Sequence, residues 1–303
     1  MKIEYLSHES IDKNKWDRCI DTASNGNAYA YSFYLDAMSK HWDALVMNDY
    51  EMVMPLTWNR KYTLHYIYQP FFCAQLGIFG NNITREIVNT FLANIPSKFR
   101  YWDFYLNRDN LFSLPSFHLY ERSNYILPLQ NEYETLQKNY ADSHKRNINR
   151  AAKSGYTFRK EIPVEDVIAL ASEQTKKFSP ITTKDYDNFS RLFSVLRSKQ
   201  MAASYGVFNS DHRLMASCAF VFSHHRAYYI LVGNHPEGRT SGASHLLIDQ
   251  FIKENAGSDL ILDFEGSNVN SLAFFYKSFC AVLEKYPGIK MNQLPAIAKL
   301  FRK

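Results

Sequence analysis

Hydrophobic positions along the chain recur with two periods, about 3.6 and 2, and their alternation predicts an α/β (α+β) protein. Lys2 to Leu6 suits a short strand. Trp16, Cys19, Ile20 and Ala23 then fall at i, i+3, i+4 and i+7, the apolar stripe of an amphipathic helix that Asn25-Gly26-Asn27 ends. Ala44 to Phe79 is rich in β-branched and aromatic residues broken at Asn48-Asp49 and near Asn59-Arg60, which predicts antiparallel strands joined by tight turns. Ile87, Val88, Phe91, Leu92 and Ile95 mark a helix that Pro96 terminates, and strands over Arg100 to Leu106 and Tyr120 to Leu129 follow.

The later part of the chain repeats this plan. One helix is expected from Tyr133 to Lys153, closed at Ser154-Gly155, where glycine takes the left-handed conformation. Val164, Val167, Ile168 and Ala171 form one helical stripe and Tyr186, Phe189, Phe193 and Leu196 another, with Thr182 and Asp185 spaced as a capping box. A meander comes next. Ala203 to Phe208, Arg213 to Phe222 and Ala227 to Val232 read as strands joined at Asn209-Ser210-Asp211 and His224-His225. A helix from Ser244 to Glu254, a strand from Leu260 to Phe264, a helix from Ser271 to Phe279 and a strand near Lys290 complete the order.

At 303 residues such a pattern asks for two domains or one large sheet, and the divide is placed at 132, giving 1–132 and 133–303. A hydrophobic fraction of 46% excludes disorder, and no apolar run approaches the ~20 residues of a membrane-spanning helix. Glu4, Glu9 and Asp12 interrupt the start where a secretory signal would be apolar, so a soluble cytoplasmic protein is expected. Cys19, Cys73, Cys218 and Cys280 lie far apart without a Cys-x-x-Cys pair and read as small buried hydrophobes in a reducing cytoplasm, so no metal is expected.

Charge then changes the picture. The formal net charge is +5, yet Lys138 to Lys160 alone holds seven basic residues and one acid. The chain is near neutral with one basic helix. Arg146, Arg150 and Lys153 fall at i, i+4 and i+7, a positive stripe suited to the phosphates of a tRNA, a nucleotide-linked precursor or a lipid headgroup, or to a merely solvated face. Aromatic residues, 16% of the chain, concentrate before residue 132; the stretch from Trp58 to Phe79 reads as strand packing, half of it facing inward, although aromatics would also suit a sugar or peptide.

Two junctions carry candidate chemistry. Between a strand ending at Gly233 and a helix beginning near Ser244, the segment Pro236 to Ser244 reads as a small-residue loop. Backbone N–H groups at the helix start, with Arg239 beside them, suit a pyrophosphate, or the glycines are ordinary punctuation between strand and helix. Asp263 and Glu265, two apart at the C-terminal end of a strand, are expected on one face, where a carboxylate can act as general base or simply cap the next helix. His224, His225, His235 and His245 lack metal-ligand spacing and read as loop or surface residues. The tail residues Ile297, Leu300 and Phe301 with Lys299, Arg302 and Lys303 are expected to dock on the fold, or at most to touch a membrane peripherally.

The meander, the Arg239 to Ser244 loop opening a helix, and the strand and Tyr276-bearing helix after it resemble the GNAT acyltransferase fold. Ser244 stands at the loop position that GNAT proteins fill with glycine or alanine. Arg146-Asn147-Ile148-Asn149-Arg150-Ala151-Ala152-Lys153-Ser154-Gly155 resembles a segment of FemAB-like proteins. Asp263 to Ser267, followed by Phe275 to Ala281, resembles their closing motif, with Cys280 in place of a glycine. The resemblance implies two tandem GNAT-like domains, each a mixed, mainly antiparallel sheet flanked by helices, with the first degenerate in its cofactor loop. It implies transfer of an acyl or aminoacyl group from acyl-CoA or aminoacyl-tRNA to an amine, FemAB relatives using the latter to build cross-bridges on cell-wall precursors. Leu231, Val232 and Gly233 would bond the donor through their backbone, Arg239, Gly242, Ala243 and Ser244 would hold its phosphates, Glu265 would be the base, and Tyr276 the acid or else a packing side chain among Phe274, Phe275 and Phe279 with its hydroxyl at the rim. A non-catalytic protein that keeps the fold and binds a polyanion or glycopeptide is the other reading.

Overall fold

The computed structural model describes residues 2–176 and 179–294. The tail that the sequence leaves for docking lies outside the described residues. Two units divide the chain, one of residues up to Arg122 together with those from Lys285 on, the other Ser123–Glu284.

In the first unit, β1 (Ile3–Leu6) leads to α1 (Lys13–Thr22), which Asp12 starts by accepting the N–H groups of Asn14 and Lys15 at 3.1 Å. Trp16, Cys19 and Ile20 turn inward as their spacing requires. The helix α2 (Ser32–Met38) has no clear periodic signal; Asp17 of α1 anchors it by accepting the Ser32 N–H and hydroxyl at 2.7 and 2.8 Å. Strands β2 (His41–Met47), β3 (Met52–Lys61), β4 (Leu64–Tyr68) and β5 (Phe79–Gly80), helix α3 (Arg85–Ala93) and strand β6 (Phe99–Tyr105) follow. The turn expected near Asn59-Arg60 lies instead after Lys61, because Arg60 pairs with His65 and Lys61 with Leu64, leaving Tyr62 at φ 56° to close the hairpin. The sheet order is β1-β2-β3-β4-β6, with β5 on β3 and the β4–β6 pair parallel. Phe91, Phe99 and Phe104 fill one core of this unit. Of the aromatic stretch, Phe79 is buried and Tyr62 exposed, while Trp58 stacks on His41 at 4.5 Å.

The chain enters the second unit within β7 (Leu119–Pro128). The single helix expected over Tyr133 to Lys153 is two, α4 (Tyr133–Lys138) and α5 (Asp142–Lys153). Tertiary bonding breaks it: the Ala141 N–H donates to Ser278 O at 2.9 Å, and Tyr140 is buried on the ring of Phe279. Then come β8 (Thr157–Lys160), α6 (Val164–Thr175) and α7 (Thr183–Ser198), the last opened by the expected capping box of Thr182 and Asp185. The meander is β9 (Ala202–Phe208), β10 (Leu214–Ser223) and β11 (Arg226–Asn234), with His224 and His225 both at positive φ in the two-residue turn. Helices α8 (Pro236–Ser241) and α9 (Ala243–Asn255), strand β12 (Ile261–Asp263) and helix α10 (Asn270–Lys277) follow, and β13 (Val282–Asn292) returns to the first unit, where it pairs antiparallel with β6. Within the second unit the strand order is β7-β12-β11-β10-β9-β8, antiparallel except for β11–β12. Its core is aromatic, with the rings of Phe220 and Phe251 stacked at 3.9 Å. The fold class is therefore mixed α/β, with a large, mainly antiparallel sheet flanked by helices.

Candidate functional site

The parallel pair β11–β12 is short. Arg226, Ala227 and Tyr228 face Ile261, Leu262 and Asp263, and there the ladder ends. Two separate commitments pull the strands apart. On β11, the register against β10 shifts between Ala219/Leu231 and Phe220/Tyr229, so Ile230 is a bulge that bends the strand while it stays with β10. On the other side the chain beyond Asp263 follows β7, since the Phe264 N–H donates to Tyr125 O at 2.9 Å. The split therefore opens beyond Tyr228, beside the stretch that carries Leu231, Val232 and Gly233. Leu170 and Ala171 of α6 lie where a Cβ on Gly233 would be, so one side of that stretch is already covered.

Glu265 stands at the mouth of the split. Asp263 and Glu265 do not share a strand face as expected, because β12 ends at Asp263 and Glu265 adopts φ 60°. That left-handed conformation is costly for a non-glycine residue and is held from several directions. The Glu265 N–H donates to Asp263 Oδ1 at 2.9 Å, Gly266 sits at φ 85° where a Cβ would come within 2.5 Å of Ser123 O, and the Ser123 N–H donates to Asn268 Oδ1 at 3.0 Å. The turn leaves Glu265 half-buried and points one carboxylate oxygen away from solvent. Glu265 Oε1 is sealed from solvent without a hydrogen-bond partner among the described residues, and burial pushes the carboxyl pKa up to about 8.

Tyr276 of α10 is its neighbour. It is buried, its ring stacks on Phe264 at 4.5 Å, and burial first, then the Glu265 carboxylate, raises its phenol well above the usual range. The two residues taken from the sequence as base and acid are thus brought together electrostatically. Asp263 is not part of this pair. It is buried against Arg226, whose Nη1 donates to Asp263 Oδ2 at 2.7 Å and to Glu284 Oε2 at 3.0 Å, while Nη2 donates to Glu284 Oε1 at 2.6 Å. Asn124 Nδ2 adds a bond to Glu284 Oε2 at 3.3 Å. No local spacing signals this network; an arginine at a strand start with acids 37 and 58 positions on is the only trace.

The segment Pro236 to Ser244 is not an open loop but the turn of helix α8, a left-handed Gly242 at φ 91° and the first residues of α9. Its glycines face protein. A Cβ on Gly238 would collide with the carbonyl oxygen of Met215, and one on Gly242 with that of Asn147. Asn147 belongs to the basic helix α5, which the fold lays against this turn. Arg150 Nη1 donates to Thr240 O at 2.8 Å, Arg150 Nη2 to Asn147 Oδ1 at 2.6 Å, and Tyr156 OH to Ser241 Oγ at 2.8 Å. Two candidates read separately from the sequence, about 90 residues apart, thus form one region. Arg146 and Lys153 point to solvent and have no ion-pair partner among the described residues. The Ser244 hydroxyl bonds Asn234 at the end of β11, and Arg239 with Lys176, Gln174, Asn234 and Leu170 lines a cavity of about 430 Å³. Because Gly242 combines positive φ with a carbonyl in the path of any Cβ, Gly242→Ala is expected to cost about 1–3 kcal/mol, read as a lowered urea midpoint.

His245 is not on a loop or a free surface. It lies in the first turn of α9, its ring 4.4 Å from that of His144 on α5, with Phe275 and Phe279 around both. Burial lowers the pKa of His144 to about 4; burial and then its neighbour lower His245 to about 3, so both rings are neutral packing groups. Among the described residues no cluster of three or more His, Cys, Asp or Glu is placed to hold a metal ion, and no helix is long and apolar enough to cross a membrane.

No family model matches the chain, and no curated protein matches it. Among solved structures it is similar to FemX, with a TM-score of 0.68 at 12% identity over 100% of both chains. It is also similar to L-PGS from Bacillus licheniformis, with a TM-score of 0.58 at 13% identity over 95% of this chain and 94% of that one. A third is the C-terminal domain of a protein assigned as a lysylphosphatidylglycerol synthetase from Agrobacterium fabrum, with a TM-score of 0.57 at 10% identity over 95% and 94%. The chain has a FemAB-like fold.

Proposed function

We propose that the protein transfers an aminoacyl group from a polyanionic ester donor of the aminoacyl-tRNA type to an amine. The observation that carries this is the pairing of Glu265, whose Oε1 is buried without a hydrogen-bond partner among the described residues, with Tyr276 at the mouth of the β11–β12 split. The Glu265 carboxylate takes a proton from the ammonium form of the acceptor. The amine then attacks the donor's carbonyl carbon, the tetrahedral intermediate collapses, and Tyr276 gives its proton to the departing oxygen. Glu265, now protonated and close to Tyr276, restores the phenol, and the surplus proton leaves with bulk water. Leu231, Val232 and Gly233 would offer backbone groups to the donor along the split.

One feature favours an ester over acyl-CoA. The turn that would cradle a pyrophosphate has its glycines closed by Met215 and Asn147, while Arg146, Lys153 and Arg239 stand exposed for a larger polyanion. In this reading Ala243 and Ser244 set the helix start and the Asn234 contact, with Arg239 meeting phosphate. The likeness to FemX and the synthetase domains supports the same class of reaction.

Filter binding with charged tRNA tests the donor, beside calorimetry with CoA. Expected is tRNA binding that weakens with salt, with Arg146→Glu and Lys153→Glu each lowering the slope of log K against log salt by about 1. Binding of CoA alone would make the donor a thioester, and binding of neither would sink the transferase reading.

A further inference from the structure

The cationic stripe of α5 does not end with that helix. Arg150 is joined to Thr240 of α8, and the residue before it, Arg239, lies one helical turn from His235, since the Arg239 N–H donates to His235 O at 3.1 Å. Arg213, from the turn between β9 and β10, meets His235 with its Nη2 2.6 Å from the ring Nε2. Beside Arg213 in that turn, His212 Nδ1 is 3.4 Å from Nη2 of Arg159 on β8, whose guanidinium lies 4.6 Å over the ring of Phe208. Bonded contacts thus link arginines of α5, α8, the β9–β10 turn and β8 past one six-residue helix, and all four are exposed.

The fold does little to neutralise them. Among the described residues the one ion pair these arginines make is Arg213 Nη1 with Glu237 Oε1, exposed and 3.6 Å apart, and the turn adds the exposed Asp211. The acids nearest Arg159 are held by other cations, Glu161 by Arg197 and Glu254 by Lys160 at 2.8 Å. His235 carries a sharper signal. The Glu237 N–H donates to its Nδ1 at 3.3 Å while Arg213 directs an N–H at its Nε2. A neutral imidazole has one lone pair in the plane of its ring, so in either tautomer one N–H faces another. An anionic oxygen that accepts from both Arg213 and the ring Nε2–H removes the conflict and leaves the bond to Nδ1 intact. The groups that meet it are side chains.

We propose that His235, Arg213 and Arg159 bind backbone phosphates of the donor RNA, which runs on from Arg239 across the β9–β10 turn to β8. Guanidinium groups suit this, because their planar donors take phosphate oxygens in pairs and each phosphate neutralised releases counterions. Arg159, laid on the Phe208 ring, is pre-organised for the contact. The inference rests on the aminoacyl-tRNA reading and extends it, adding contacts beyond α5 and Arg239.

Filter binding of charged tRNA across a salt series tests it. Arg159→Gln and Arg213→Gln are each expected to lower the slope of log K against log salt by about 1, and together to weaken binding about tenfold or more at low salt, with unchanged circular dichroism spectra. Glu237→Gln, which removes the acid paired with Arg213, is expected to tighten binding, and it decides the matter if the double variant fails to fold. Unchanged slopes in both arginine variants, while Arg146→Glu lowers its own, would overturn this path and leave the tRNA reading standing. Weaker binding at an unchanged slope would overturn it equally, as a structural effect. No binding of tRNA by the natural protein would sink the reading itself and this extension with it.

Discussion

Glu265→Gln is expected to lower the rate of aminoacyl transfer by about 10²–10⁴-fold, the usual worth of a positioned general base, while leaving donor binding in place. The substitution keeps the shape and the left-handed turn but removes the carboxylate that accepts the acceptor's proton in this mechanism. The pH dependence follows from the cause of the shift. Burial without a partner holds the proton on Glu265 up to about pH 8, so the base form falls about tenfold for each unit below that value. Transfer by the natural protein should therefore rise with pH through about 8, and the variant should lose that rise. Stability gives a reading that needs no substrate. A group whose pKa is raised on folding contributes stability that is full below its unfolded value, near 4, and lost as pH rises through about 8. Denaturation of the natural protein should become easier between about pH 5 and 9, and the glutamine variant should not follow. A variant with undiminished transfer and an unchanged pH profile would remove Glu265 from the mechanism.

How much of this was legible in the sequence depends on how local the cause is. The capping box of Thr182 and Asp185, the left-handed Gly155 and the hairpin at His224-His225 are each decided within a few residues, and their signatures could be read directly. The break at residues 139–141 could not, because a carbonyl more than 130 positions away, that of Ser278, captures the Ala141 N–H and overrides a continuous helical pattern. Glu265 was visible as an acid at a strand end. Its conformation depends on Ser123 O closing over Gly266, and its raised pKa on a carboxyl left alone by an Asp263 that Arg226 has claimed. The same holds at Gly242: the glycine was noticed for a helix start, but it is required by the backbone of α5, and only the fold shows that the basic helix and that turn meet.

Arg226→Leu should destabilise the second unit by about 3–5 kcal/mol, the cost of breaking a buried ion pair from one side. Arg226 and Asp263 are 6% and 2% exposed, so the leucine fills the space but leaves the buried carboxyl of Asp263 and the half-buried one of Glu284 without their shared cation. Burial already raises the pKa of Asp263 against the pull of Arg226, and without that cation the carboxyl should titrate higher still. The sign is then fixed. Because the raised group favours its protonated form in the folded state, the variant keeps most stability at acid pH and loses it as pH rises. Urea midpoints of the two proteins should therefore lie closest near pH 4 and separate most at neutral pH. The loss should also reach the site, since Asp263 Oδ1 receives the Glu265 N–H that helps hold the left-handed turn. Equal midpoints at pH 7 would show that the Arg226 network is dispensable, and that Ser123, Gly266 and Asn268 suffice to hold Glu265.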